Sequence, residues 1–251
     1  MGSSKPVNRS SDGLRIAEKS VYFAIQDRRQ LPADLDWLGA NERTRLASFR
    51  FDKRRHDWLL GRWTAKQALM AVAAVAEPGR IEIATADDGA PLPRLDGRPF
   101  AATISLSHSN DRAFCTVTLD RTELGCDIEF VEPRGTAFVE TYFTNTESER
   151  IANADKHCRD LLMTMIWSAK ESVLKALRIG LGVDTRSVEV IPDDHGPDTE
   201  ESSEWRTGRV VAADDGEFAC CWLHDGSFVF CVAGRAPLPT PLPVGSGTLA
   251  A

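Results

Sequence analysis

Apolar and polar positions along this chain follow a helical spacing and then a strand-like alternation, and the whole sequence of patterns occurs twice. A short strand-like run covers Ser20 to Ile25, and helical spacing then extends from about Asn41 to Ala76 with a break near Phe51-Asp52. Ile81 to Ala84 reads as a strand. Asp87-Asp88-Gly89-Ala90-Pro91 reads as a loop, and Leu95-Asp96-Gly97-Arg98-Pro99 as a turn. Thr103 to Leu106 predicts a short strand. Ala113 to Leu119 and Glu123 to Phe130 alternate and are expected to form a hairpin through Asp120-Arg121-Thr122. The second round begins with a helix from Glu147 to about Ala154, with Thr144 to Thr146 as capping candidates. A longer helix follows from about Cys158 to Arg178 and is closed by Gly180. Strands are predicted over Ser187–Ile191, Gly208–Ala212, Phe218–Leu223 and Phe228–Ala233, with His224-Asp225-Gly226-Ser227 joining the last two as a hairpin.

There is no short-period repeat, but the doubled order hints at two related halves. The expected divisions are a partly disordered start at 1–17, halves at 18–123 and 124–236, and a disordered Pro/Gly-rich tail at 237–251. Asp193 to Glu204 is expected to be an exposed acidic loop.

Composition narrows the function classes. With 251 residues, 42% hydrophobic and 27% charged, the chain has the makeup of an ordinary globular protein. Its net charge of −7 argues against nucleic acid or an anionic membrane as a partner, so any anion site must be a local basic cluster. The longest apolar run, Leu69 to Ala76, is far short of the roughly 20 residues that span a bilayer. Met1 to Gly13 lacks the apolar region of a signal peptide. The six cysteines (Cys115, Cys126, Cys158, Cys220, Cys221 and Cys231) show neither CxxC pairing nor zinc-like spacing, and read as reduced residues of a cytoplasmic protein.

Four constellations carry possible chemistry. In Gly125-Cys126-Asp127-Ile128-Glu129, strand alternation puts Asp127 and Glu129 on one face, about 7 Å apart. Such a pair suits a hard divalent ion, and equally suits the solvated face of an antiparallel strand. In Trp167-Ser168-Ala169-Lys170-Glu171-Ser172-Val173-Leu174-Lys175, the i, i+4, i+8 spacing aligns Trp167, Glu171 and Lys175, with Lys170 one step round the helix. Glu171 there is either a metal ligand beside phosphate-binding cations or part of a surface ion pair. Ser105-Leu106-Ser107-His108-Ser109-Asn110 is read as a strand passing into a turn, where Ser107 and His108 could donate to a phosphate or simply cap the turn. The basic helix Lys53 to Lys66 projects Arg54, Arg62 and Lys66 to one side around Trp58, which suits a multiply charged phosphate ligand, or is a solvated face; Arg98 adds one more exposed cation.

The order of these elements is more specific than any one of them. The chain resembles the monomeric phosphopantetheinyl transferases that activate polyketide, nonribosomal-peptide and fatty-acid synthases. The resemblance rests on the basic helix Arg54 to Lys66, Gly97-Arg98-Pro99, Ser107-His108-Ser109, Gly125 to Glu129, Tyr142-Phe143…Glu147, Trp167 to Lys175 and Gly180-Leu181-Gly182, spanning about residues 43–233. It implies an α+β fold, a pseudo-dimer of two similar α+β halves with the active site in the cleft between them. It implies a monomer that transfers the 4′-phosphopantetheine of coenzyme A to a serine of an apo acyl or peptidyl carrier protein and releases 3′,5′-ADP. The alternative is a catalytically silent coenzyme A- or carrier-binding module on the same fold. The implied metal is Mg²⁺ (Mn²⁺ as an alternative), held by Asp127, Glu129 and Glu171. Glu171 and Lys175 would be catalytic. Arg54, Arg62, Arg98, Ser107, His108, Lys170 and Lys175 would bind coenzyme A, with Arg55 interchangeable with Arg54.

Overall fold

The computed structural model describes residues 20–192 and 204–244. The first half runs β1 (Tyr22–Asp27), α1 (Ala40–Ala47), α2 (Asp52–Ala73), β2 (Ile81–Thr85), β3 (Pro91–Leu95), β4 (Arg98–Pro99), β5 (Thr103–Ser109) and β6 (Arg112–Thr118). The second runs β7 (Leu124–Phe130), α3 (Thr136–Tyr142), α4 (Asn145–Asn153), α5 (Arg159–Ala176), β8 (Val188–Pro192), β9 (Arg206–Ala212), β10 (Gly216–Asp225) and β11 (Phe228–Gly234); β12 (Leu242–Pro243) comes last. One sheet has the order β12-β1-β6-β5, a second β7-β11-β10-β9-β8, and β2-β3-β4 form a small third sheet.

The expected α+β pseudo-dimer is what the chain forms. Helix α2 covers one face of the first sheet through Ala65, Leu69 and Val72, packed against Tyr22, Ala24 and Val117. Helix α5 covers one face of the second through Ile166, Val173 and Leu174, packed against Phe218, Val229 and Cys231. Phe23 and Phe114 of the first sheet meet Cys126, Ile128, Phe230 and Val232 of the second, so a third core lies between the two inner faces.

Several sequence expectations need correction. Residues 113–119 and 123–130 do not pair with each other: β6 is flanked by β1 and β5, while β7 pairs with β11. The hairpin turn is instead Asn110-Asp111, both left-handed (φ 44° and 60°), which matches the twist of the flanking strands. His108 therefore lies within β5, not in a turn. The 87–99 segment contains strands as well as turns. The tail is ordered as far as β12, which pairs in parallel with β1. The predicted disorder at 1–17 and beyond residue 244, and the loop at 193–203, lie outside the described residues. All six cysteines are free, five of them buried.

Candidate functional site

The site lies where the edge of one sheet abuts the edge of the other. No backbone ladder joins β5 to β7; serine hydroxyls do so instead. Ser105 Oγ accepts from the Cys126 N–H (2.9 Å), and Ser109 Oγ from the Phe130 N–H (3.3 Å). Between them Ser107 Oγ donates to Asp127 Oδ1 (2.7 Å). Alternation along β5 puts all three serines on the side that meets β7.

On β7 the same alternation turns Gly125, Asp127 and Glu129 toward α5, and Cys126 and Ile128 into the core between the sheets. Gly125 makes room for the helix: a Cβ there would stand 1.8 Å from the Ser172 carbonyl oxygen. The helix and strand run in opposite directions. Asp127 and Glu129 stand about 7 Å apart along β7 and Trp167 and Lys175 about 12 Å apart along α5, a difference that the long Lys175 and Trp167 side chains span by leaning inward. Lys175 therefore meets Asp127 (Nζ to Oδ1, 2.6 Å), while Trp167 Nε1 reaches Glu129 Oε1 (3.1 Å).

Lys175 Nζ also donates to Ser107 Oγ (2.9 Å) and stands 3.5 Å from Glu171 Oε2. Burial, followed by the nearby Asp127 charge, pushes the Glu171 carboxyl up to about 7. The same causes in the same order raise Glu129. Burial on its own would lower Lys175, but Asp127 and Glu171 outweigh it and hold its ammonium above the usual lysine value. The three acids thus share one neighbourhood without closing into a coordination shell; among the described residues no group of three or more His, Cys, Asp and Glu side chains is gathered as a metal cluster. Asp127 Oδ2 is nevertheless buried with no hydrogen-bond partner, and carboxylate oxygens are the donors a hard divalent ion prefers. On those two grounds the residues fit Mg²⁺.

Ser107 connects this acid group to a cavity of about 620 Å³. Arg45, Lys53, Arg54, Trp58, Arg62 and His108 are among its lining residues. Arg62 stacks over Trp58 (5.0 Å), and its Nε is buried without a partner. Burial lowers the Arg62 guanidinium, which remains charged. Sequence reasoning missed Arg45, which borders the cavity from α1; its signal was a basic residue one helix upstream of Arg54.

Three residues expected to bind phosphate are not in the site. Lys170 is fully buried, 2.8 Å from Glu147, and donates to the carbonyls of Thr185 and Val188. Successive helical residues point about 100° apart, so the neighbour of Glu171 faces the core. Lys66 is likewise buried, 2.7 Å from Glu42, and donates to the Trp37 and Pro78 carbonyls. Arg98 lines neither cavity that contains Arg62; it sits beside Asp96 at the far end of the small sheet.

The geometry joins a cationic cavity, through Ser107, to a carboxylate-rich end. Residues 123–232 match the profile of the 4′-phosphopantetheinyl transferase superfamily. The chain is 32% identical over 186 residues to a phosphopantetheinyl transferase of Thraustochytrium sp., covering 67% of this chain and 60% of that one. It is 27% identical over 149 residues to the 4′-phosphopantetheinyl transferase HetI of Nostoc sp., covering 57% and 61%. The matched region spans less than two thirds of either relative. A holo-(acyl-carrier-protein) synthase from Bacillus anthracis, solved in complex with CoA, aligns over 39% of this chain and 93% of its own at 23% identity and TM-score 0.33, a likeness too slight to place residues. Residues 123–232 thus carry a domain of the 4′-phosphopantetheinyl transferase superfamily. Among the described residues no helix is long and apolar enough to cross a membrane.

Proposed function

We propose that this protein transfers the 4′-phosphopantetheine group of coenzyme A to a serine hydroxyl of an apo acyl or peptidyl carrier protein and releases 3′,5′-ADP. The observation that carries the reading is continuity. Arg54, Arg62 and His108 border a cavity that reaches Ser107, and Ser107 is hydrogen-bonded to both Asp127 and Lys175. A nucleotide diphosphate ester laid along that path has cations at its phosphorylated adenosine end and carboxylates at its pyrophosphate.

The carrier serine oxygen bonds to the phosphorus that bears pantetheine, and the bond from that phosphorus to the 3′,5′-ADP oxygen breaks. Glu171, whose carboxyl is pushed up to about 7, is suited to take the serine proton near neutral pH. Lys175 is suited to steady the charge that builds on the departing phosphate. Asp127 and Glu171, with Glu129 beside them, would hold Mg²⁺, which when bound offsets pyrophosphate charge. The cationic cavity orients the donor.

The test is mass spectrometry of an apo carrier protein incubated with this protein, coenzyme A and Mg²⁺. A phosphopantetheine mass gain that disappears with Asp127→Ala supports the transferase. Coenzyme A binding with no mass gain on a panel of apo carriers leaves a binding module instead.

A further inference from the structure

Three acids face the proposed metal end of the site, but one of them is already fully engaged. Glu129 Oε2 accepts from Arg134 Nη2 (2.7 Å) and Glu129 Oε1 from Trp167 Nε1 (3.1 Å). The Arg134 guanidinium lies over the Phe138 ring (4.7 Å), and Phe138 meets Trp167 edge-on with centroids 5.1 Å apart. Glu129, Arg134, Phe138 and Trp167 therefore form a closed ring of contacts reaching from β7 through the following loop and α3 to α5. The ion pair is sheltered, with side-chain exposures of 11% for Arg134 and 20% for Glu129. A guanidinium in such a place holds its carboxylate firmly and offsets its charge. Asp127 stands in contrast, with one buried oxygen lacking any partner.

We propose that Arg134 is a positioning residue that holds Glu129 out of direct coordination, so that the divalent ion is held by Asp127 and Glu171 alone. This rests on the transferase reading for its purpose but not for its test. With Asp127, Glu129, Glu171, Lys175 and Arg134 all ionised, the cluster carries one net negative charge; without Arg134 it carries two and gains a free carboxylate. Such a site takes a divalent ion more tightly on its own. The wild-type arrangement keeps the free protein's hold on the ion modest, favouring its arrival with a phosphorylated donor.

The experiment is Mn²⁺ binding to the full chain, without donor or carrier, followed by electron paramagnetic resonance. Arg134→Ala should bind Mn²⁺ about ten-fold more tightly than wild type, the effect of an uncompensated nearby charge. Glu129→Gln, which removes one negative charge, should weaken binding by no more than about ten-fold, whereas removal of a direct ligand would abolish it. The double variant should return to the wild-type value, and Arg134→Lys, which keeps the charge, should differ little. Unchanged or weaker binding in Arg134→Ala overturns the proposal, as does loss of binding in Glu129→Gln or a wild type that binds no Mn²⁺. Should Arg134→Ala melt early, Glu129→Gln decides alone, because a direct ligand could not be removed without loss. If the Mn²⁺ pattern holds but no carrier is ever loaded, the transferase reading fails while this one stands.

Discussion

Replacing Gly125 by alanine would place a methyl group 1.8 Å from the Ser172 carbonyl oxygen and 2.6 Å from the Ala176 nitrogen. Both are backbone atoms of α5, so no side chain can swing aside to make room. Real Cβ atoms essentially never come closer than 3.0 Å to a neighbour, so the helix must retreat from β7 by about 1.2 Å. Glu171 and Lys175 ride on the same two turns as Ser172 and Ala176. A retreat along the line of contact would open the Lys175–Asp127 bond from 2.6 Å to about 3.8 Å, beyond hydrogen-bonding reach. Overpacking of this kind costs about 1–3 kcal/mol, and a misplacement of about 1 Å in a reacting group slows a reaction by about 100-fold. The assay measures initial rates of carrier loading by mass spectrometry, with urea unfolding of the same preparations. Gly125→Ala should lose about two orders of magnitude in rate while remaining folded at a cost of about 2 kcal/mol. A variant with wild-type rate and wild-type unfolding midpoint would refute the claim that contact between α5 and β7 sets the site.

Lys170→Met and Lys66→Met should each destabilise the protein by about 3–5 kcal/mol in urea unfolding, because each leaves a buried carboxylate unpaired. Any folded Lys170→Met enzyme should keep its KM for coenzyme A within about two-fold, since Lys170 makes no contact with the cavity. Arg62→Ala should raise the KM for coenzyme A far more than that for dephospho-coenzyme A, whereas Arg98→Ala should change neither; equal effects of the two variants in steady-state kinetics would contradict the cavity assignment. Without metal, Glu171 binds its proton more tightly in the folded than in the unfolded chain. Its contribution to stability is therefore present at low pH and lost as pH rises from about 4.5 to about 7. In EDTA, the stability of wild type relative to Glu171→Gln should fall across that window, by at most on the order of 3 kcal/mol; a flat difference would place Glu171 in water.

Most of the site was legible because its parts obey local periodicities. Two-residue alternation put Asp127 and Glu129 on one face of β7, and i, i+4, i+8 spacing aligned Trp167, Glu171 and Lys175 on α5. What local pattern cannot supply is the partner. The strands at 113–119 and 123–130 were visible, yet they belong to different sheets, and the left-handed Asn110-Asp111 turn decides which neighbour β6 takes. β3 escaped notice because Pro91 and Pro93 suggest a loop, although both lie outside Arg94-Leu95, the short stretch where β3 pairs with β4 as well as β2. Lys170 was misplaced because it adjoins Glu171 in sequence, and adjacency along a helix separates faces. The ring around Glu129 could not be inferred, since Arg134 reaches it from an irregular loop.

The two buried lysines show why a doubled fold carries one acid site rather than two. In the first half Glu42 caps the Gly39 N–H, accepts from the Ile83 N–H of β2 and pairs with Lys66 of α2. In the second, Glu147 caps the Thr144 N–H, accepts from the Val190 N–H of β8 and pairs with Lys170 of α5. Each lysine then donates to two backbone carbonyls, so the pairs are equivalent group for group. Superposing Lys66 on Lys170 sets Trp63-Thr64-Ala65-Lys66-Gln67 against Trp167-Ser168-Ala169-Lys170-Glu171, a repeat present in the sequence itself. The correspondence preserves everything that locks helix to sheet and changes what faces the site. Gln67 stands where Glu171 stands, and Ala71 where Lys175 stands. The alternate positions of β1 hold Tyr22, Ala24 and Gln26, where those of β7 hold Gly125, Asp127 and Glu129. Bulky Tyr22 also fills the close approach that Gly125 leaves open. The first half has thus kept the scaffold without the acids, leaving α2 free to line the cationic cavity with Arg54 and Arg62 while α5 supplies Glu171 and Lys175.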